Sequence, residues 1–144
     1  MNEITITIEL VLAALLGGTI GFFRERDKKA AGLRTHTIVC LSCSLLMSLS
    51  IFMATKFPGS DAGRIAAQVV TGIGFLGAGT IIQSGETVRG LTTAATIWIA
   101  AAIGLSVGAG FYYAAILATI ITLIVIEVFR RFEKMVFKDE APNI

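Results

Sequence analysis

The stretch from Arg24 to His36 reads RERDKKAAGLRTH, with six cationic side chains, counting the histidine, and two acidic ones. It lies between two apolar runs, Ile6 to Phe23 and Thr35 to Ala54. A helix crossing a hydrocarbon core of ~30 Å needs about 17–25 mostly apolar residues, and each run supplies them. A basic loop between two such runs is the pattern of a helical hairpin threaded through a bilayer. The rest of the chain repeats it, with further apolar runs at Arg64 to Gln83, Thr92 to Gly108 and Phe111 to Phe129. The mean hydropathy of +0.81 over 144 residues lies far outside the range of soluble domains. The expected fold is therefore an all-α integral membrane protein with five transmembrane helices. Residues 1–129 form the membrane domain and residues 130–144 a short charged tail.

Basic residues in short loops stay on the cytoplasmic side. Arg24, Arg26, Lys28, Lys29 and Arg34 fall in the first loop, Arg89 in the third, and Arg130, Arg131, Lys134 and Lys138 in the tail, leaving only Lys56 and Arg64 around the second loop. This places the N-terminus outside and the C-terminus in the cytoplasm. Tyr112 and Tyr113 then begin the fifth helix at the outer interface, where an aromatic belt is expected. Met1 to Glu9 holds two glutamates and no basic residue, and the apolar run is too long for a signal peptide, so a cleaved one is not expected.

Apolar helices in lipid associate through small residues that let backbones approach. Gly17 and Gly21 form one GxxxG pair, Gly104 and Gly108 another, and Gly72, Gly74, Gly77 and Gly79 crowd the third helix. Close packing within one chain or in a homo-oligomer is one reading, and a broken helix lining a site is the other. The GxGxxG spacing of Gly72, Gly74 and Gly77 is not a dinucleotide fingerprint, because that motif needs a preceding strand and an acidic residue about 20 positions on. At 100° per residue, Arg64, Gln68, Thr71, Gly72, Gly79 and Gln83 share one side of the third helix. Polar groups at membrane depth turn toward protein or water. This stripe is thus expected to face the bundle interior or a partner, either as interhelical hydrogen bonds or as a hydrated path.

Titratable residues divide into two groups by side. Arg24, Glu25, Arg34, His36, Glu86 and Arg89 are expected to gather as an inner cluster, and Glu9, Asp61 and Arg64 as an outer one. Glu25 has the plainer alternative of pairing with neighbouring arginines, and Asp61 that of capping the third helix. Glu9 lies on the same side of the first helix as Ala13, Gly17 and Arg24, where a carboxylate faces protein and takes a partner such as Arg64. In the second helix His36, Cys40, Cys43, Met47 and Ser50 form a stripe that soft metals such as Cu(I) accept, although Cys and Met are also ordinary packing residues there. Both cysteines are expected as free thiols. Ser42, Ser44, Ser48 and Ser50 are expected to pack or bond back to their own helix. One histidine, no acid and base paired on one face and no hydrolase motif argue against an enzyme. No nucleic-acid partner and no cofactor are expected, while Mg²⁺ binding by carboxylates stays open. Lys28 and Lys29 attract anionic lipid headgroups in any case.

Three stretches, RERDKKAAGLRTHTIVC, DAGRIAAQVVTGIGFLGAGTII and VRGLTTAATIWIAAAIGLSVGAGFY, closely resemble the membrane domain of the MgtC/SapB family, in order and over nearly the whole chain. The resemblance implies a five-helix bacterial inner-membrane protein, without enzymatic activity, linked to adaptation to low magnesium, acid pH and, in some members, survival inside macrophages. Family members are often labelled magnesium transport proteins. The implied role is regulatory, acting on membrane partners such as the F-type ATP synthase, with a small oligomeric ion pathway as the alternative. The motifs single out Glu25, Gly32, Leu33, Arg34, Thr35 and His36, then Asp61, Arg64, Gln68, Gly72, Gly74, Phe75, Gly77 and Gly79, and Gly90 to Thr93. The form resembled is a short one, without the soluble C-terminal domain of longer members.

Overall fold

The computed structural model describes residues 2–136. The chain forms α1 (Glu3–Arg26), α2 (Leu33–Lys56), α3 (Gly63–Ala78), strands β1 (Ile82–Ser84) and β2 (Thr87–Arg89), α4 (Leu91–Gly108) and α5 (Tyr112–Val136). Four of these, α1, α2, α4 and α5 over Tyr112–Phe132, are long and apolar enough to cross a membrane. The protein is a multi-pass helical membrane protein.

The third run departs from its expected span. α3 has 16 residues and is about 24 Å long, shorter than the ~30 Å hydrocarbon core. It ends at Ala78, and the chain turns through Gly79 into an antiparallel hairpin pairing Ile82 with Arg89 and Ser84 with Thr87. Gly85, at φ +61°, opens the two-residue turn, a position where glycine carries no steric cost. Gln83 therefore lies on β1 and Gly79 on the turn, so neither continues the polar stripe of α3. The S-G-E-T turn was the sequence signal that the hydropathy of Thr80 to Ile82 masked.

α2 is the central element, packed along α1 on one side and α4 on the other and touching α3. The approach is close because glycines face it. A methyl group at Gly17 would stand 2.5 Å from Cys40 Cβ and 2.6 Å from the His36 carbonyl oxygen, and one at Gly21 would stand 2.7 Å from Leu33 Cα. Gly104 faces the Cys40 carbonyl and Gly108 the Ser44 carbonyl just as tightly. Both GxxxG pairs thus serve packing within the chain, and both against the same helix. Two apolar clusters fill the remainder. Cys43 packs with Val39, Ile73 and Ile97, while Cys40 packs with Ala13, Ile20, Ile103 and Val107.

The ends of the helices sort by charge. The C-termini of α1 and α5 meet through ion pairs, and Arg24 of α1 bonds Thr93 in the first turn of α4, which defines a basic end of the bundle. Glu9 of α1, Ser48 of α2 and Tyr112 of α5 meet toward the opposite end. α5 runs on through Val136, so the expected boundary at Phe129 falls inside a helix. The last part of the expected tail, including Lys138 and Pro142, lies outside the described residues.

Gly104→Ala and Gly17→Ala are expected to destabilise the bundle by about 1–3 kcal/mol each through overpacking. Gly72→Ala, where nothing lies within 4 Å of the added methyl, should be neutral within the protomer. Thermal unfolding in mild detergent, followed by circular dichroism, checks the contrast; equal effects at all three positions would sink the packing account.

Candidate functional site

The basic end is built around a buried guanidinium. Arg24 is only 3% exposed although it sits one turn from the end of α1. Its Nη2 donates to Thr93 Oγ1 at 2.5 Å, and its Nε has no acceptor. α1 then stops through Asp27 and Lys28, the latter in the left-handed region at φ +53°, which turns the chain toward α2. Glu25 does not pair with an arginine. Its Oε2 accepts the Leu33 N–H at 2.7 Å, satisfying one of the donors that the first turn of α2 leaves free. His36 is fully buried one turn further on, with Nδ1 2.9 Å from the Gly32 carbonyl and Nε2 without a partner. Arg34, Glu86 and Arg89 are exposed and make no side-chain hydrogen bond or ion pair among the described residues. The six residues expected as one inner cluster therefore separate into a buried pair of positions, one helix cap and three surface charges.

A network that the sequence reading did not single out occupies the same end. Arg130 and Arg26 both pair with Asp27, and Glu127 receives Arg26 at 2.9 Å, Arg130 at 2.8 Å and Arg131 at 2.8 Å. The signal was present in the i, i+3 and i, i+4 spacing of Glu127, Arg130 and Arg131 on one face of α5. What joins α5 to α1 is the bridging of Arg26 and Arg130, which no local pattern specifies. A cavity of about 560 Å³ opens beside this network, between α1, the first turn of α4 and the end of α5.

Toward the opposite end the outer cluster also re-forms with other partners. Glu9 is 4% exposed, and its two carboxylate oxygens accept separate hydroxyls, Oε2 from Ser48 at 2.9 Å and Oε1 from Tyr112 at 3.0 Å. Arg64, the partner expected for Glu9, is exposed on α3. Asp61 accepts the Gly63 N–H at 2.7 Å, so it serves the start of α3, close to the capping alternative. Tyr112, half-buried, is thus the third member of a carboxylate centre, while its neighbour Tyr113 is exposed. The serines follow the expectation in part. Ser48 also bonds back to the Ser44 carbonyl, Ser50 reaches the Ala62 carbonyl, and Ser44 Oγ has no partner.

The polar stripe of α3 does not enter the bundle. Arg64, Gln68, Thr71 and Gly72 are exposed, and only Ile73 and Gly77 of this helix are buried. Gly77 rests on Ala94 at ordinary contact distance, whereas Gly72 and Gly74 have nothing within 4 Å. Cys40 and Cys43 are free and buried, in different apolar clusters. Among the described residues no three His, Cys, Asp or Glu side chains gather closely enough to hold a metal ion.

Helices clamped by glycine, a buried arginine at one end and a hydroxyl-bound carboxylate toward the other define a multi-pass membrane protein. The family model described as MgtC family matches residues 10–135, and the chain belongs to the MgtC family. It is 45% identical over 129 residues to "Putative magnesium transporter YhiD" of Escherichia coli K12, covering 86% of this chain and 60% of that protein. It is 46% identical over 113 residues to Protein MgtC of Brucella abortus, covering 78% and 46%, and 46% over 116 residues to Protein MgtC of Salmonella typhimurium, covering 81% and 48%. The chain thus spans about half to three-fifths of the length of these relatives. No solved structure matches it.

Tyr112→Phe is expected to lower stability by about 0.5–1.5 kcal/mol, one hydrogen bond's worth. Ser48→Ala should act similarly, and Glu9→Leu more strongly, since it removes both hydrogen bonds at once and leaves the part-buried Tyr112 hydroxyl without its acceptor. The double variant Tyr112→Phe with Ser48→Ala, measured by unfolding in detergent, should cost more than the two singles combined, because the carboxylate then loses both donors. Strict additivity would dissolve the three-residue centre.

Proposed function

We propose that this chain is a non-enzymatic unit of a bacterial inner-membrane protein acting in magnesium-linked physiology, and that it works by packing α3 against α3 of a second copy. The magnesium link rests on family membership and on the transporter name carried by the E. coli relative. The observation that carries the assembly reading is the outward face of α3. Gln68 and Arg64 point away from their own bundle and have no side-chain partner among the described residues, beside the open glycine surfaces of Gly72 and Gly74. Polar side chains facing lipid are costly, and small residues beside them let a second backbone approach. The amide of Gln68 is self-complementary across a two-fold contact, since it carries both donors and acceptors. In this reading the N-terminus lies outside, as the distribution of basic loops supports, and the exposed charges of the basic end meet regulatory partners.

The rival reading is an oligomeric cation pathway, favoured by the relative's transporter name. A route through a single protomer conflicts with the packing, because α2 touches α1 and α4 at backbone distance and the buried charge at the basic end is a guanidinium, which repels cations. A path in this protein would have to run between copies, along Arg64, Gln68 and Thr71.

Gly72→Leu is the deciding variant, because the protomer has room for the side chain while a close interface does not. It is expected to keep its helix content and melting behaviour but to shift from oligomer to monomer in mild detergent, read by light scattering. Retention of the native oligomeric size would remove the α3 interface. Mg²⁺ flux in proteoliposomes above that of empty vesicles, abolished by the same variant, would replace the regulator by the pathway.

A further inference from the structure

Arg24 and the first turn of α4 present an electrostatic problem that the chain solves only in part, since Asp27 attracts the guanidinium but bonds Arg26 and Arg130 instead. The start of α4 carries the positive end of a helix dipole and leaves backbone N–H groups without intrahelical acceptors. No side chain caps it, and its first turn holds no acidic residue. The residue at the cap is Gly90, at φ +90° and hard against the Thr80 carbonyl, so the position that would carry a capping oxygen in other helices admits only glycine. Against this positive end the fold sets a second positive charge. The Arg24 guanidinium bonds Thr93 in that turn, is almost wholly buried, and has an Nε–H with no acceptor. Two like charges brought together at a buried position need an anion between them.

The cavity beside them has the matching character. Arg24, Lys29, Arg130 and residues Gly90 to Thr93 line it, and its acidic member, Asp27, is already held by Arg26 and Arg130. Val125 and Phe129 of α5 form an apolar wall on the other side. At the end of a membrane bundle, a cationic floor next to an apolar wall matches the two parts of an anionic phospholipid, headgroup and acyl chain.

The geometry points to a phosphate-binding site at the start of α4, in which Arg24, Lys29 and the free N–H groups of the first turn hold a phosphate group, either of a lipid headgroup or of a free phosphate. It is independent of how α3 assembles, because none of its residues lies on that helix.

The test uses the whole chain in maltoside micelles, which carry no phosphate. Hydrogen exchange at the amides of Leu91, Thr92 and Thr93 is followed with added phosphatidylglycerol or with inorganic phosphate, and lipid retention is titrated by native mass spectrometry. Protection by phosphatidylglycerol alone assigns a headgroup; protection by inorganic phosphate as well assigns a site for the phosphate group itself. Arg24→Gln is expected to weaken binding by at least about 10-fold, and Lys29→Gln, an exposed position that leaves the fold intact, by about 5-fold. Arg34→Gln, exposed at the same end outside the cavity, should leave binding unchanged. No protection by either ligand overturns the site. So does Lys29→Gln binding as the wild type does, or Arg34→Gln weakening binding as much as Lys29→Gln, which would reduce the effect to surface charge.

Discussion

The close approach of α2 to its neighbours governs the rest of the structure. Lipid offers no hydrophobic drive for helix association, so van der Waals contact must hold the bundle, and such contact falls away within an ångström. Gly17 and Gly21 on α1 and Gly104 and Gly108 on α4 place backbone against the backbone of α2 from two sides. Once α2 is held this way, α1 and α4 are held relative to each other. Arg24 then meets Thr93 and Glu9 meets Ser48, as consequences of the glycine contacts.

The same constraint separates polar chemistry from the middle of the bundle. Cys40 lies between glycines of both neighbours, and the space around it admits no ligand or hydrated ion. Polar function is displaced to the ends and to α3. The two ends solve the burial of charge differently. Toward one end, Glu9 takes two hydroxyl donors, one on each oxygen, and is complete. At the other, Arg24 is bonded on one nitrogen, lacks a partner on another and faces a helix terminus of its own sign. A completed centre reads as architecture, whereas an incomplete one reads as a binding position.

α3 stands apart from both arrangements. It is the shortest helix, is covered on little more than the Ile73 and Gly77 side, and hands the chain to an exposed hairpin at the basic end. The glycines that look alike along the sequence therefore do different work. Those of α1 and α4 are filled by α2, while Gly72 and Gly74 meet nothing in their own chain.

Much of this was legible in residue order. Hydropathy located α1, α2 and α4 to within three residues at each end but overran the end of α3 and fell short of the end of α5, and the periodicity of α1 placed Glu9, Ala13, Gly17 and Arg24 on one side, all of which are buried. It did so because bilayer thickness sets helix length and the 3.6-residue turn sets facing, both local properties. Partners were not legible. Glu9 found Ser48 and Tyr112 and not Arg64, Glu25 capped α2, and Arg26 and Arg130 joined two helix ends across Asp27 and Glu127. Each of these pairings depends on the axial offset between helices, which the glycine contacts set and which no stretch of sequence encodes alone. Residue order settled four segments as long and apolar enough to cross a membrane, and the buried side of α1; the length and facing of α3, the depth at which the helices interlock, and hence who meets whom, were decided by packing.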